Sequence, residues 1–436
     1  MEKTLFERFN FKPFIIQALK HMQFYSPTEI QEKLIPHILR GKSAIGQSQT
    51  GTGKTHAYLL PIVEKIDPSL SEVQAVITAP TRELASQIYH EILTILKFNS
   101  GEEQITARCF IGGTDKLRTI EKLKHQPHIV VGTPGRINDL VKEQALHVHT
   151  AKVLVVDEAD LMLDMGFIFD VDQIAGRMPK QLQILVFSAT IPEKLKPFLK
   201  KYMENPEYVH IDPKQITAEN IEHVLVPVRH REKINVLSEM LVLYNPYLAI
   251  VFANTRKLAD EIATALNERG LRVGVLHGDL SPRERKKMIK QIRDLQFQYI
   301  VATDLAARGI DIEGVSHVIN YELPRDLDFY VHRVGRTARA GHSGIAATIY
   351  EPSDQDAIMK LEKMGIEFHH RDISRGEWIE LPEWNKRSKR KKEEGELEKI
   401  VKRAVNKPKK VKPGYKKKMR EEIEKQKKRL RRLQKR

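Results

Sequence analysis

Short runs of apolar, often β-branched residues recur along the chain and alternate with stretches of helical period. In the first half they are AVITAP (75–80), HIVVGTP (128–134), VLVVDEAD (153–160) and QILVFSAT (183–190). A second series follows with LAIVFANT (248–255), RVGVLHG (272–278), QYIVATD (298–304) and HVINYELP (317–324). Strands that are apolar on both faces, with helices between them, predict parallel sheets covered on both sides, an α/β architecture. Such crossovers are right-handed, and ligands gather at the carboxyl ends of the strands. Each run ends in small or polar residues suited to that edge. Between the two series lies ENPEYVHIDPKQITAENI (204–221), rich in Pro, Asn and other polar residues. It predicts a link at 209–220 that joins a domain at 1–208 to a second at 221–375. Two α/β domains on such a link form a cleft that can open and close. Beyond about residue 375 the sheet pattern stops, and 376–436 carries too little apolar surface to fold alone.

The chain's 436 residues suffice for two cores. Charge changes the picture at one end only. Residues 385–436 hold 25 Lys+Arg against 7 Asp+Glu, a net of +18, whereas the preceding 384 residues hold 48 basic and 50 acidic ones. A nearly neutral body therefore carries a strongly basic tail. The single cysteine, Cys109, excludes an internal disulfide framework and fits a reducing compartment. The N-terminal MEKTLFERFNFKPF lacks a signal-peptide core, and no apolar stretch reaches bilayer-spanning length. The expectation is a cytoplasmic protein with no membrane partner. Among 17 histidines only His369 and His370 form a close pair. No cysteine accompanies them, so they read as structural or surface residues.

Two segments carry chemistry. SQTGTGKT (48–55) lies between a strand-like stretch at 43–46 and a predicted helix. Gly51 and Gly53 let backbone N–H groups approach phosphate oxygens, with Thr52 between them, and the helix offers its positive N-terminus. Lys54 is placed for the β and γ phosphates, and Thr55 for Mg²⁺. Ser48 stands where the general GxxxxGK[ST] pattern has its first glycine. Downstream, the buried strand of VLVVDEAD ends in acids. Asp157 there suits a water-mediated hold on magnesium, and Glu158 suits orienting and deprotonating the attacking water. Together they predict binding and hydrolysis of a nucleoside triphosphate.

The spelling Asp157-Glu158-Ala159-Asp160 resembles the DEAD-box family of ATP-dependent RNA helicases, and the likeness covers about residues 6–345 in the family's order. FYSPTEIQ (24–31), with Phe6 upstream, resembles the Q motif. This implies that Gln31 reads the adenine edge and Phe24 packs on the base. PTRELA (80–85), Gly112-Gly113 and TPGR (133–136) resemble RNA-contacting motifs. By that likeness Thr81, Arg82, Gly113, Thr133, Arg136 and, in the second domain, Thr303 contact RNA. Ser188-Ala189-Thr190 resembles the motif coupling hydrolysis to unwinding, which implies coupling roles for Asp160, Ser188, Thr190 and His332. VFANT (251–255) and the stretch from ATD (302–304) to RGID (308–311) resemble motifs near RNA and the ATP ribose, where Asp311 belongs. HRVGRTAR (332–339) supplies Arg336 and Arg339 as arginine fingers. The i, i+3 spacing of these two predicts one helical face. Four departures stand out: Gln23 and Ala338 replace usual glycines, Ser48 a usual alanine, and Pro282 a usual glutamine three residues before Arg285.

The family implies two tandem RecA-like domains, ATP with Mg²⁺, and RNA held by its backbone across both. It implies closure of the cleft before hydrolysis and local prying of short duplexes. An ATP-gated RNA clamp or chaperone needs the same motifs, and a DNA translocase fits the Q motif and DEAD spelling less well. Within the family, the basic tail resembles that of bacterial cold-shock-type helicases acting on ribosomal or structured RNA. Its clusters KRSKRKK (386–392) and KPKKVKPGYKKK (407–418) suit phosphates without reading sequence.

Overall fold

The computed structural model describes residues 4–49, 51–100, 104–113, 119–121, 123–211, 220–307, 312, 314–338 and 343–382. The basic stretch 383–436 and most of the 209–220 link lie outside them.

Strands β1 (Ala44–Gln47), β2 (Ala75–Thr78), β3 (Ala107–Phe110), β4 (Ile129–Gly132), β5 (Val153–Val156), β6 (Gln183–Ser188) and β7 (Glu207–His210) form one parallel sheet. Their order is β3-β4-β2-β5-β6-β1-β7. Period-two alternation explains why both faces are apolar. Val155 of β5 faces the cluster that holds Leu34, Tyr58 and Phe187. Its neighbours Leu154 and Val156 face the opposite cluster with Ile137, Met162 and Ile174. The edge strand β7 comes from the stretch whose composition suggests a link. It runs to His210, and Ile211 N–H still bonds to the Gln47 carbonyl at 3.0 Å.

The second sheet contains β8 (Ile221–Pro227), β9 (Ala249–Ala253), β10 (Val273–Leu276), β11 (Tyr299–Thr303), β12 (His317–Asn320) and β13 (Gly344–Tyr350). They lie parallel in the order β10-β11-β9-β12-β13-β8. Matching β8 to β1, β9 to β2 and so on to β13 and β6 makes the two orders identical. The halves, too divergent to align as sequence, are copies of one RecA-like topology. Two further strands follow, Phe368–Ser374 and Glu377–Glu380, the second of them past residue 375, where the sheet pattern was expected to have stopped. Trp378 supplies the reason for the second, since its ring lies 4.6 Å from that of Tyr244. Among the described residues no helix is long and apolar enough to cross a membrane.

Candidate active site

The strand order decides what meets what. β5, β6 and β1 are neighbours. The segments leaving their carboxyl ends, namely DEAD, SAT and the phosphate loop, therefore share one edge. In the loop Gly51 and Gly53 take φ of 84° and 90°, the left-handed region that favours glycine. Gly53 is also crowded, because a Cβ there would stand 2.5 Å from Gln31 Nε2. The Gln31 amide explains the crowding. Its Nε2 donates to the Gly53 carbonyl at 3.0 Å and its Oε1 accepts from Thr28 N–H at 3.0 Å. The proposed adenine reader thus pins the Q motif to the phosphate loop and keeps one N–H and one lone pair for a base. Phe24 stays 38% exposed, in a T-shaped contact with His56 whose ring centroid is 5.0 Å away.

Ser48 gains a bond that alanine lacks, since its hydroxyl meets that of Thr52 at 2.7 Å. Lys54 starts the helix Lys54–Lys65 and is buried. Its ammonium donates to the carbonyls of Ser48 and, at 3.1 Å, Gln49. Burial lowers its pKa, against the opposing pull of Asp157, Glu158 and Asp160.

Asp157 extends β5 by donating its N–H to the Thr78 carbonyl at 3.1 Å. Its Oδ1 accepts from Glu158 N–H at 2.9 Å and its Oδ2 from the Tyr58 hydroxyl at 2.8 Å. Glu158 has φ 49°, a left-handed backbone that costs a non-glycine residue about 1–2 kcal/mol and persists only where the surroundings enforce it. Burial raises the pKa of both carboxyls; Lys54 opposes this at Asp157, and Arg336 does so most at Glu158. Asp157, Glu158 and Asp160 outnumber Lys54 and Arg336, which leaves an oxygen-donor site short of positive charge that fits Mg²⁺.

The coupling residues converge. Asp160 Oδ2 accepts from Thr190 N–H at 3.0 Å and from Thr190 Oγ1 at 3.1 Å, and Asp160 N–H donates to Ser188 Oγ at 3.1 Å. His332 Nε2 stands 3.9 Å from Asp160 Oδ2. Burial alone would raise the Asp160 pKa, but His332 and the bonds from Thr190, Ser188 and Leu161 hold it below the ordinary value.

The residues assigned to RNA follow the carboxyl ends of strands in both sheets. Thr81 caps the helix Arg82–Leu96 by accepting from Leu84 N–H at 3.2 Å. The Arg82 guanidinium lies against Gly112 and Gly113, where Cβ atoms would come within 3.0 and 3.1 Å of it. Thr133 precedes the helix Pro134–Lys142 that carries Arg136, and Thr303 ends β11. The second half repeats the device of the first. Thr255 caps the helix Arg256–Glu268, and Arg256 lies against Gly278. Pro282 fits the first turn of its helix, where no N–H is needed, inside a capping box of Ser281 and Glu284. Its ring abuts Gly113. Arg285 bonds to Glu83 of PTREL and to the Ala306 carbonyl at 2.8 Å, so it ties the two halves together.

The paired arginines need a correction. The helix Asp328–Val334 stops at Gly335, and Arg336 follows in a turn with its N–H on the Arg333 carbonyl. Arg336 thus lies past the end of the helix on which the shared face was expected. Arg336 is nonetheless buried and near enough to act on the Glu158 carboxyl. Arg339 and Asp311 lie outside the described residues. Both residues that replace family glycines, Gln23 and Ala338, adopt left-handed φ of 60° and 54°.

Two residues escaped sequence reasoning. Tyr58 sits one helical turn beyond Lys54, and that spacing was the available signal. Arg333 is 1% exposed and gathers the ends of three strands, β9, β11 and β12. It pairs with both oxygens of Asp304 (2.5 and 2.7 Å) and bonds to Asn320, Asn254 and the Glu322 carbonyl (3.2, 2.8 and 2.6 Å), with Phe252 5.1 Å beneath.

The pattern of DEAD/DEAH box helicases matches residues 28–198, and that of the helicase conserved C-terminal domain matches residues 232–341. DEAD-box ATP-dependent RNA helicase CshB of Bacillus subtilis (strain 168) is 64% identical over 434 residues, covering 100% of this chain and 99% of its own. CshB of Staphylococcus aureus is 48% identical, covering 92% of this chain and 89% of its own. Among solved structures, S. cerevisiae Dbp5 bound to RNA and ADP BeF3 superposes with a TM-score of 0.77 at 29% identity, covering 93% of this chain and 100% of that one. Mss116p bound to ssRNA and AMP-PNP gives a TM-score of 0.74 at 27% identity, covering 93% and 82%.

Proposed function

The chain belongs to the DEAD-box family of ATP-dependent RNA helicases, within reach of its CshB group, and from that premise we propose that it is an RNA-stimulated ATPase that opens short RNA duplexes locally and remodels RNA or RNA–protein complexes. The observation that carries this reading is the meeting of the two halves at the DEAD segment. Arg336 acts on Glu158 there, and His332 faces Asp160 at 3.9 Å. ATP lies along the edge of β1, β5 and β6, with Phe24 and Gln31 at the base and the phosphate loop and Lys54 at the phosphates. Thr55 and Asp157 would hold magnesium, which when bound would supply charge to offset the phosphates. Glu158 takes a proton from the attacking water, and Arg336 stabilises the charge on the transferring phosphoryl. Arg339 is proposed beside it and Asp311 at the ribose.

Since Arg336 belongs to the second half, hydrolysis requires closure. RNA binds across both halves through phosphates and 2′-hydroxyls at Thr81, Arg82, Gly113, Thr133, Arg136 and Thr303. Asp160, Ser188, Thr190 and His332 couple closure to turnover. Each ligand then tightens the other by the same factor. Dbp5 was captured with RNA and ADP BeF3 together, which supports joint occupancy here. The test compares ATPase activity with poly-RNA and with single-stranded DNA, and follows strand separation of a short RNA duplex in a single turnover. Stimulation by RNA alone, with one opening per bound ATP, is expected. Equal stimulation by DNA overturns the substrate assignment, and RNA-stimulated hydrolysis without opening favours an ATP-gated clamp.

The tail 385–436 is proposed to add sequence-independent affinity for ribosomal or other structured RNA. Deleting it should weaken RNA binding and flatten the dependence of log K on log salt, leaving nucleotide affinity unchanged. An unaltered salt slope removes the tail from RNA binding.

A further inference from the structure

Tyr58 is fully buried, and its ring packs on Phe187 with centroids 4.9 Å apart. A phenol this deep in an apolar cluster needs a partner for its hydroxyl. It has one, in the carboxylate at the end of β5. The hydroxyl donates to Asp157 Oδ2 at 2.8 Å. A carboxylate only accepts, so the phenol proton lies on the Asp157 side. Asp157 Oδ1 is fixed separately by Glu158 N–H at 2.9 Å. Both oxygens of the carboxylate are thus oriented, each with a lone pair to spare. The spacing follows from the helix: Lys54 and Tyr58 are one turn apart, and Thr55 begins the adjacent row.

We propose that the Tyr58 hydroxyl is a positioning group for the divalent cation: from the helix that also carries Thr55 it holds the Asp157 carboxylate in its ligating orientation before nucleotide arrives. The proposal rests on the reading of these two residues as the magnesium ligands. Partners that hold metal-binding carboxylates characteristically cost about 10–100-fold in metal affinity when removed. Here the cost falls on the cation and not on the base or phosphate loop, because Tyr58 touches neither Gln31 nor Gly53.

Tyr58→Phe removes one oxygen and keeps the ring on Phe187. In the full-length protein, binding of a fluorescent ADP analogue is followed while Mg²⁺ is titrated, and again in excess EDTA. The Mg²⁺ concentration at half-saturation should rise about tenfold in Tyr58→Phe, with affinity in EDTA unchanged. A rise below twofold overturns the proposal. So does an equal loss with and without Mg²⁺, the mark of a merely structural role. Wild-type binding indifferent to Mg²⁺ would instead overturn the assignment of Thr55 and Asp157 on which it stands. Should Tyr58→Phe not fold, 3-fluorotyrosine inserted at position 58 keeps the hydroxyl and reports by ¹⁹F NMR. Its resonance should move with Mg²⁺ and ADP but not with ADP in EDTA, and the same shift in both overturns the proposal.

Discussion

Glu158→Gln is expected to slow RNA-stimulated ATP hydrolysis by about 10²–10⁴-fold while leaving ATP and RNA binding within a few-fold of wild type. The substitution is close to isosteric and keeps the backbone at its left-handed φ of 49°. It also leaves the N–H that orients Asp157 Oδ1. What it removes is the group that can accept a proton beside the β5 edge. The surroundings favour that role, since burial raises the Glu158 pKa and Arg336 restrains the rise. A base with a higher pKa than a free carboxylate takes a proton from water more readily. Single-turnover ATPase with RNA, alongside equilibrium binding of a fluorescent ATP analogue, checks both halves of the expectation. Hydrolysis within tenfold of wild type would remove Glu158 from the proton-transfer step.

Arg333→Met should destabilise the second half by about 3–5 kcal/mol. The guanidinium is 1% exposed and satisfied on every side. Methionine fills much of the volume but leaves Asp304 without its counter-charge and Asn254, Asn320 and the Glu322 carbonyl without donors. Removing one partner of a buried ion pair is costly because the other stays behind. Urea unfolding, followed by a probe in each half since a two-domain chain need not unfold in one step, should show an early transition confined to the second half. Arg333→Met with Asp304→Leu should recover part of the loss, because no unpaired charge remains. A loss below 1 kcal/mol in the single variant would mean that water replaces the network at little cost.

Much of this was legible in the chain. The apolar runs located eight strands, because fully buried parallel strands carry no polar face to blur them. The phosphate loop and DEAD segment could be read since their residue types have few other uses at that spacing. Strand order could not be read. Nothing local in AVITAP or VLVVDEAD states that β5 lies between β2 and β6, yet that adjacency brings the carboxylates to the loop. β7 was hidden because an edge strand half open to solvent tolerates the polar residues that also mark links. The burial of Arg333 comes from partners at the ends of β9, β11 and β12, which its local sequence does not state. Tyr58 drew no reading from the sequence. The spacing of Arg336 and Arg339 does not say that the helix ends at Gly335, ahead of Arg336.

The identical strand order of the two sheets implies that an ancestral unit was doubled and that its descendants then specialised. Where β5 leads into Asp157-Glu158, its counterpart β12 leads into Tyr321-Glu322, and Pro227 closes β8 where a phosphate loop follows β1. Among the described residues the acids and the glycine-rich loop stand on the first sheet alone, and the second half brings Arg336 up to them.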